Sequence, residues 1–357
     1  MHTRSWIIVA IAAAVACAQE DAPVALGSKV YVADEESGTL SVIDHRTRQR
    51  LRVFDLNVTE GPAPRRVTLH NVQAAPDGRS VWVTAVGRGD AHGDAGHGEE
   101  PLEEVVVLDP RTDTVTARVA LGSGLHLAHV VLDAASRYAY VSANEASQVL
   151  RIDANIRQVV ARYDLGAGRG PHGMRFCGDR LYVANMGGRS LSVIDPAVGS
   201  VREVPVGGVA VQTACAAGGR YVFASLYDTR EVVRLDVASG ALVRVALPAG
   251  AQGPVQLYPG RDGMIFVCDQ GILMSRPASN LLFELDAERA EVLATVEVGR
   301  GAHGVVLSDD GATAFVTNVA DDTVSVVDTA SRRAVATVAV GRAPNGIAHW
   351  HVSGGMP

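Results

Sequence analysis

The sequence lacks the short motifs that identify the common catalytic and nucleotide-binding sites. It contains no GxSxG nucleophile elbow, no HExxH zinc motif and no phosphate-binding loop. A CxxCH motif is also absent, which excludes a covalently attached c-type haem, and no segment has the spacing of an EF-hand calcium loop. The sequence therefore gives no direct sign of an enzyme.

Lysine is almost absent from the chain. Lys29 is the only one among 357 residues, so nearly all basic residues are arginine, and the formal net charge is −7. A protein that binds DNA non-specifically normally carries a basic surface. The acidic balance argues against a nucleic-acid partner, although it leaves room for a local arginine patch. The hydrophobic content of 47% suits a folded core rather than a disordered chain.

Cysteine is scarce, and its spacing matches no zinc motif. Apart from Cys17, the chain has only Cys177, Cys215 and Cys268. The simplest interpretation is that these three are small buried residues in strands. In an oxidising compartment Cys177 and Cys215 could pair, but the sequence does not decide whether they do.

The N-terminal segment has the pattern of a secretory signal. Arg4 precedes the apolar run 6–15, which is too short to span a membrane. The residues around Cys17 resemble a bacterial lipobox, so we predict a signal peptide at 1–16, a lipidated Cys17 and an N-terminal linker at 17–27. Cleavage after Ala18 is the alternative. We expect an outer-membrane lipoprotein facing the periplasm or the cell surface, touching the membrane through its lipid anchor only, or otherwise a soluble periplasmic protein.

A short apolar motif that ends in aspartate occurs seven times in the chain. The aspartates are Asp44, Asp109, Asp153, Asp195, Asp236, Asp286 and Asp328. Successive copies lie 41 to 65 residues apart. A period of roughly 40–45 residues with four short strands per unit is typical of a β-propeller blade. We therefore predict an all-β fold, a seven-bladed β-propeller of four-stranded antiparallel blades spanning residues 28–357.

The two ends of the repeat predict how the ring closes. The first blade begins at Lys29 with a second-strand motif, and the chain ends with an inner-strand motif at 345–351. We therefore expect the C-terminal strand to complete the first blade, which pairs two strand edges that would otherwise be exposed.

The strand motifs resemble the YVTN family of seven-bladed propellers. AFVTN followed by DDTVSVVDTASRRAVATVAVG carries the resemblance, with further copies at 31–34, 140–144 and 182–185. It covers nearly all of the chain after Gly27. The family includes surface-layer, nucleic-acid-binding and export proteins, so the resemblance implies a fold rather than a function.

Histidines recur where the inner strands are predicted to begin. These starts share one rim of the central channel, so imidazoles from several blades should face a common mouth. Neutral imidazole binds transition metals, including copper, zinc and iron. Blades two, three and four could form a three-histidine site, while the histidine of blade seven lies across the channel. The candidate metal ligands are His70, His126, His129, His172 and His303.

Two long inserts are predicted on the same rim, at 86–104 and 269–280. The first carries His92 and His97 among several acidic residues, and we include both as candidate ligands. The plain alternative is that the rim histidines bond neighbouring blades and that the insert is only a solvated loop.

Several functions stay open at this point. The first is a non-catalytic scaffold that presents its loop-bearing face to a protein or small-molecule ligand. The second is a site for copper, zinc, iron or non-covalent haem, because the chain resembles the haem-binding propellers of nitrite reductases. The segment GPHGM at 170–174 resembles the blade starts of streptogramin lyases, which implies a lyase. A DNA-binding propeller is the last alternative.

Overall fold

In the computed structural model the described residues are 27–58, 65–88 and 101–351. They form seven antiparallel sheets of four strands each. The helical segments of this part of the chain are short 3₁₀ turns at Ala217–Gly219, Arg261–Gly263 and Leu273–Ser275. The predicted all-β class and the seven four-stranded blades are confirmed.

Each blade runs from an inner strand at the channel to an outer strand at the rim of the disc. Blade one consists of β28 (Pro344–Trp350), β1 (Lys29–Asp34), β2 (Thr39–Asp44) and β3 (Arg50–Asp55). Blade two consists of β4 (Val67–Ala74), β5 (Val81–Gly87), β6 (Glu103–Asp109) and β7 (Thr114–Gly122). Blade three consists of β8 (Leu127–Leu132), β9 (Tyr138–Ala143), β10 (Gln148–Asp153) and β11 (Gln158–Asp164). Blade four consists of β12 (Pro171–Cys177), β13 (Arg180–Asn185), β14 (Ser190–Asp195) and β15 (Ser200–Pro205). Blade five consists of β16 (Ala210–Ala216), β17 (Tyr221–Leu226), β18 (Glu231–Asp236) and β19 (Leu242–Ala246). Blade six consists of β20 (Pro254–Pro259), β21 (Met264–Asp269), β22 (Leu281–Asp286) and β23 (Glu291–Glu297). Blade seven consists of β24 (Ala302–Leu307), β25 (Thr313–Asn318), β26 (Thr323–Asp328) and β27 (Arg333–Ala339).

The C-terminal strand closes the ring as predicted. Strand β28 pairs antiparallel with β1, so that Trp350 lies opposite Lys29. It also contacts the inner strands of blades two and seven. Trp350 is fully buried, and its indole N–H donates to the carbonyl of Gly78 at 3.0 Å.

Burial follows the position of each strand within its blade. The inner strands are buried along nearly their whole length, as in β8 and β24, because both faces of each sheet pack against neighbouring blades. The outer strands alternate instead between exposed and partly buried residues, as in β11 and β23. The hydrophobic core is thus a ring of layers between blades rather than one central cluster.

Every inner strand carries the same irregularity close to its start. In blade two, Leu69 pairs with Ala85 and Val72 with Val83, so two residues of β4 lie opposite the single residue Thr84. The other six inner strands show the same two-against-one register. Such a β-bulge redirects side chains, and here it repeats around one mouth of the channel.

A hydroxyl group locks several of these bulges to the next blade. Thr317 accepts a hydrogen bond from the amide of Gly304 at 2.7 Å and donates to the carbonyl of Asn345 at 2.9 Å in the following blade. Equivalent hydroxyls make the same two contacts in blades two, three and five, namely Thr84, Ser142 and Ser225. The third residue of the YVTN-like motif therefore joins adjacent blades.

The cysteines outside the N-terminal segment divide into a pair and a single residue. Cys177 at the end of β12 and Cys215 on β16 form a disulfide between blades four and five. Cys268 is a free thiol in the core. The pairing that the sequence left undecided is present.

The predicted inserts and the targeting segment are described only in part. Strand β5 extends to Gly87 and β6 begins at Glu103, because Val86 still pairs with Glu103, so the first insert is shorter than predicted. Its histidines His92 and His97 lie outside the described residues. The signal peptide and Cys17 do so as well. No helix in the described ranges has the length and hydropathy needed to cross a bilayer.

Candidate metal centre

Three histidines from consecutive blades converge at the mouth of the channel. His70 on β4, His129 on β8 and His172 on β12 each offer a ring nitrogen, and these atoms lie within 4.8 Å of one another. The ring centroids of His129 and His172 are 4.8 Å apart, and those of His70 and His172 are 5.0 Å apart. Three imidazole nitrogens at this spacing could hold one metal ion.

The repeated bulge explains why these side chains meet. His70 and His172 occupy the first bulge position of their strands, whereas His129 occupies the second position of its own. Regular pleating would point successive residues to opposite faces, and the bulge relaxes this alternation. After His172 the second position favours glycine, because a Cβ on Gly173 would lie only 2.7 Å from the backbone carbonyl oxygen of Val211, besides touching the side chain of Gln212.

The hydrogen bonds of His70 and His172 leave their Nε2 atoms facing each other. His172 donates from Nδ1 to the carbonyl of Val211 at 2.9 Å, so its Nε2 carries the lone pair. His70 Nδ1 lies 3.4 Å from a carboxylate oxygen of Glu35. The two Nε2 atoms are 3.0 Å apart. Two lone pairs at this distance repel unless a proton or a cation lies between them.

His129 supplies the most buried nitrogen of the group. Its side chain is fully buried, and its Nε2 has no hydrogen-bond partner among the described residues. The amide nitrogen of Gln212 lies 3.4 Å from its other ring nitrogen. A buried polar atom without a partner is costly, so a ligand at this point would relieve that cost.

Burial keeps the buried imidazoles neutral at physiological pH. Desolvation, together with the charges of neighbouring histidines, lowers the pKa of His172 to about 3 and holds the pKa of His129 well below its usual value. A neutral imidazole offers the lone pair that a metal ion needs. These nitrogens therefore do not have to release a proton before they can bind a metal ion near neutral pH.

Glu35 also contacts the histidine group, and it was not among the residues predicted from the sequence. Burial raises its pKa, but the hydrogen bond and charge of His70 and the amide of Asn345 outweigh that effect and lower the pKa to about 2. Asn345 donates to its second oxygen at 2.5 Å. A carboxylate that accepts from a histidine orients the ring and increases its basicity. The only sequence signal was its place just after β1, on the same mouth of the channel.

His303 lies near the group without belonging to it. It occupies the first bulge position of β24, is 4% exposed, and neither of its ring nitrogens has a partner among the described residues. Burial and the charge of His70 lower its pKa to about 3. The structure therefore places a further buried imidazole at this mouth of the channel, beside the three histidines of the group.

His126 is placed differently from the other candidates. It precedes β8 in an exposed turn with a φ of 50°, and its backbone N–H donates to Glu103. His126 is not at the start of an inner strand equivalent to that of His70, because the residue of β8 at the bulge position of His70 is Ala128. Glu103 and Glu104 were counted in the insert, but Glu103 accepts three backbone N–H groups ahead of β8 and Glu104 pairs with two arginines. Their roles are structural.

Comparison with known proteins identifies the fold alone. No protein-family model and no curated protein sequence matches the chain. The dihydro-heme d1 dehydrogenase NirN in complex with DHE is similar, with a TM-score of 0.59 and 16% identity over 87% of this chain. The chain spans 63% of NirN.

Two further structures cover similar shares of this chain. Virginiamycin B lyase from Staphylococcus aureus has a TM-score of 0.63 and 13% identity, covering 82% of this chain and 94% of its own. Kuenenia stuttgartiensis hydrazine synthase has a TM-score of 0.63 and 18% identity, covering 78% and 88%. These similar structures support the seven-bladed propeller fold. At sequence identities this low, the functions of these proteins cannot be assigned to this chain.

Proposed function

We propose that this chain is an exported, non-catalytic β-propeller of the YVTN type that binds one transition-metal ion through His70, His129 and His172. The convergence of three imidazole nitrogens within 4.8 Å carries the proposal. The absence of hydrolase and protease motifs from the sequence supports a binding role over a catalytic one. Export is supported by the apolar N-terminal segment and the residues before Cys17.

The donor set favours a borderline metal ion such as zinc or copper. Imidazole suits zinc, copper, iron and nickel, whereas calcium and magnesium prefer oxygen ligands. Two nitrogens bound tetrahedrally at 2.0–2.1 Å from zinc lie about 3.3 Å apart. The 3.0 Å separation between His70 and His172 is close to that requirement. Three protein ligands leave a coordination position for an external ligand or for transfer of the ion.

Haem is the alternative that the neighbour NirN suggests by its name. A haem iron takes one or two axial side chains and needs a slot for its macrocycle. Three ring nitrogens within 4.8 Å of one another, one of them fully buried, are instead arranged around a single small ion. The geometry therefore favours an ion over a tetrapyrrole.

Metal content of the purified protein tests the proposal. We expect about one zinc or copper ion per chain after dialysis against micromolar metal. The double variant His70→Ala/His172→Ala should retain less than about a tenth of this amount. His126→Asn is the matched control, because it removes an exposed histidine of the same rim and asparagine tolerates its positive φ.

Two outcomes would contradict a metal-binding function. One is wild-type protein that takes up no ion at micromolar concentrations. The other is a double variant that binds as much metal as the control. A Soret band in the protein as purified would support the haem alternative instead.

A further inference from the structure

The opposite mouth of the channel opens into a second site. A cavity of about 980 Å³ lies where the inner strands of blades three to six end, away from the bulges that carry the histidines. Phe176 and Cys215 at the ends of β12 and β16 line it, as does Met264 at the start of β21. Small-molecule sites commonly measure 300–1,000 Å³, so this volume could hold a ligand of considerable size.

A buried arginine without a counter-ion lines this cavity. Arg175 on β12 is 9% exposed, and its one Nη1 hydrogen bond goes to the neutral side chain of Gln73 at 3.1 Å. Its Nε has no partner, and it forms no ion pair with a carboxylate within the described ranges. A buried charge without a partner is costly, and burial accordingly lowers the pKa of Arg175. An anion in the cavity would supply the missing partner.

The wall beside this arginine is aromatic and carries a second guanidinium. Arg151 lies over the ring of Tyr138, 3.6 Å from its centroid. Tyr140 and Phe176 stack edge to face at 5.1 Å on the same side of the cavity. Three arginines and two aspartates line the cavity, so its lining carries a net positive charge. Flat apolar surfaces and guanidinium groups together suit a ligand with an aromatic body and an acid group.

We propose that this cavity binds an amphipathic organic anion, whose acid group pairs with Arg175 and whose flat apolar body lies against Phe176. A carboxylate matches the fork of a guanidinium and can accept two parallel hydrogen bonds. The site uses none of the histidine ligands and lies at the other end of the channel, although the charge of Arg175 reaches His129 and helps to lower its pKa. The ligand class is thus an aromatic or similarly flat carboxylic acid.

Calorimetric titration with a matched pair of probes tests this directly. The probes are 2-naphthoate and its neutral amide, 2-naphthamide, which share the ring system and differ in charge. We expect the wild-type protein to bind the carboxylate saturably and about tenfold or more tightly than the amide, as for a charge-assisted hydrogen bond. No binding of the carboxylate, or equal affinity for both probes, would overturn the proposal without any variant.

Variants then locate the site. Arg175→Met keeps the length of the side chain and removes its charge, so we expect it to abolish the preference for the carboxylate. Because the empty site holds an unpaired buried charge, the same variant should raise the melting temperature of the ligand-free protein. Arg202→Gln is the control, since Arg202 is exposed on β15 and away from the cavity, and the variant changes the net charge equally. Unchanged carboxylate binding by Arg175→Met would reject the assignment.

A second variant keeps the test decisive if Arg175→Met does not fold. Arg151→Met removes the half-buried cation that lies over Tyr138. It should weaken naphthoate binding several-fold and leave naphthamide binding unchanged. Equal loss of both probes would indicate a purely apolar pocket and contradict the proposed anion site.

Discussion

At the scale of single residues, burial decides the chemistry of the channel mouth. The sequence predicted which residue type would gather there, and His70, His129 and His172 were all among the candidates. It could not separate His129 from His126, because the two lie three positions apart and the bulge shifts the register between them. Beyond its position just after β1, the sequence gave no reason to select Glu35, whose side chain contacts a histidine of the next blade.

The buried histidines should make the metal-free protein sensitive to acid. Burial and the charge of His70 lower the pKa of His303 to about 3 from its ordinary value of 6.5. A depressed folded-state pKa means that the unfolded chain binds the proton more readily. The stability that neutral His303 contributes is therefore present above pH 6.5 and is lost as the pH falls toward 3. The loss should be about 1.4 kcal/mol per pH unit for this residue.

The variant His303→Leu measures this contribution. Urea titration of the metal-free protein between about pH 7.5 and pH 5 should show a shallower loss of unfolding free energy in the variant than in the wild type. Asp34, whose pKa burial raises to about 6, acts in the opposite direction but titrates equally in both proteins. Parallel curves for wild type and His303→Leu would contradict the buried neutral state.

At the scale of elements, the strands were predictable and their irregularities were not. The apolar motifs that end in aspartate identified all seven blades, and the last of these residues, Asp328, ends the third strand of blade seven, Thr323–Asp328. The bulges could not be predicted, because an extra residue near the start of a strand leaves the hydrophobic pattern almost unchanged. They nevertheless decide which side chains face the channel.

The hydroxyl that bridges a bulge to the next blade should matter for stability. Thr317→Val keeps the shape of the side chain but leaves the buried amide of Gly304 and the carbonyl of Asn345 without their shared partner. An unsatisfied buried group costs about 1–3 kcal/mol, so we expect a loss of about 2–3 kcal/mol in unfolding free energy. Chemical denaturation provides the measurement.

A surface threonine provides the comparison for that substitution. Thr114→Val changes an exposed threonine of β7 and should alter stability by no more than about 0.5 kcal/mol. If Thr317→Val were equally mild, the hydroxyl would not be a structural link between blades. The repeated third residue of the motif would then need another explanation.

At the scale of the whole molecule, the order of the strand motifs in the sequence was enough to predict how the ring closes. The first strand of the repeat is a second strand and the last is an inner strand, so the two can complete the first blade only by pairing with each other. What the sequence could not give is the distance between side chains of different blades. Those distances depend on the tilt and spacing of the sheets, and they create both the histidine group and the arginine-lined cavity.

Removal of the closing strand should therefore cost the whole fold rather than one blade. A chain that ends at Arg342 loses β28, which exposes the inner edge of β1 and leaves Lys29 and Tyr31 without their strand partners. Ring propellers have no terminal caps, so the exposed edges of blades one, two and seven should open together. We expect the truncated chain to lose its cooperative unfolding transition and its near-UV circular dichroism. A chain ending at His351, which keeps β28, should retain both.

A permuted chain separates closure from a general effect of shortening. In this chain, residues 344–351 are moved to a position before Lys29. They are joined to it by a tight turn like Asp309–Gly311, which links β24 to β25. The moved strand then lies beside β1 with the same antiparallel register. Blade one then has the strand order of the other six blades, and the cooperative transition should return. Folding of the truncated chain without β28, or failure of the permuted chain alongside an intact His351-terminated chain, would show that the ring does not depend on this pairing.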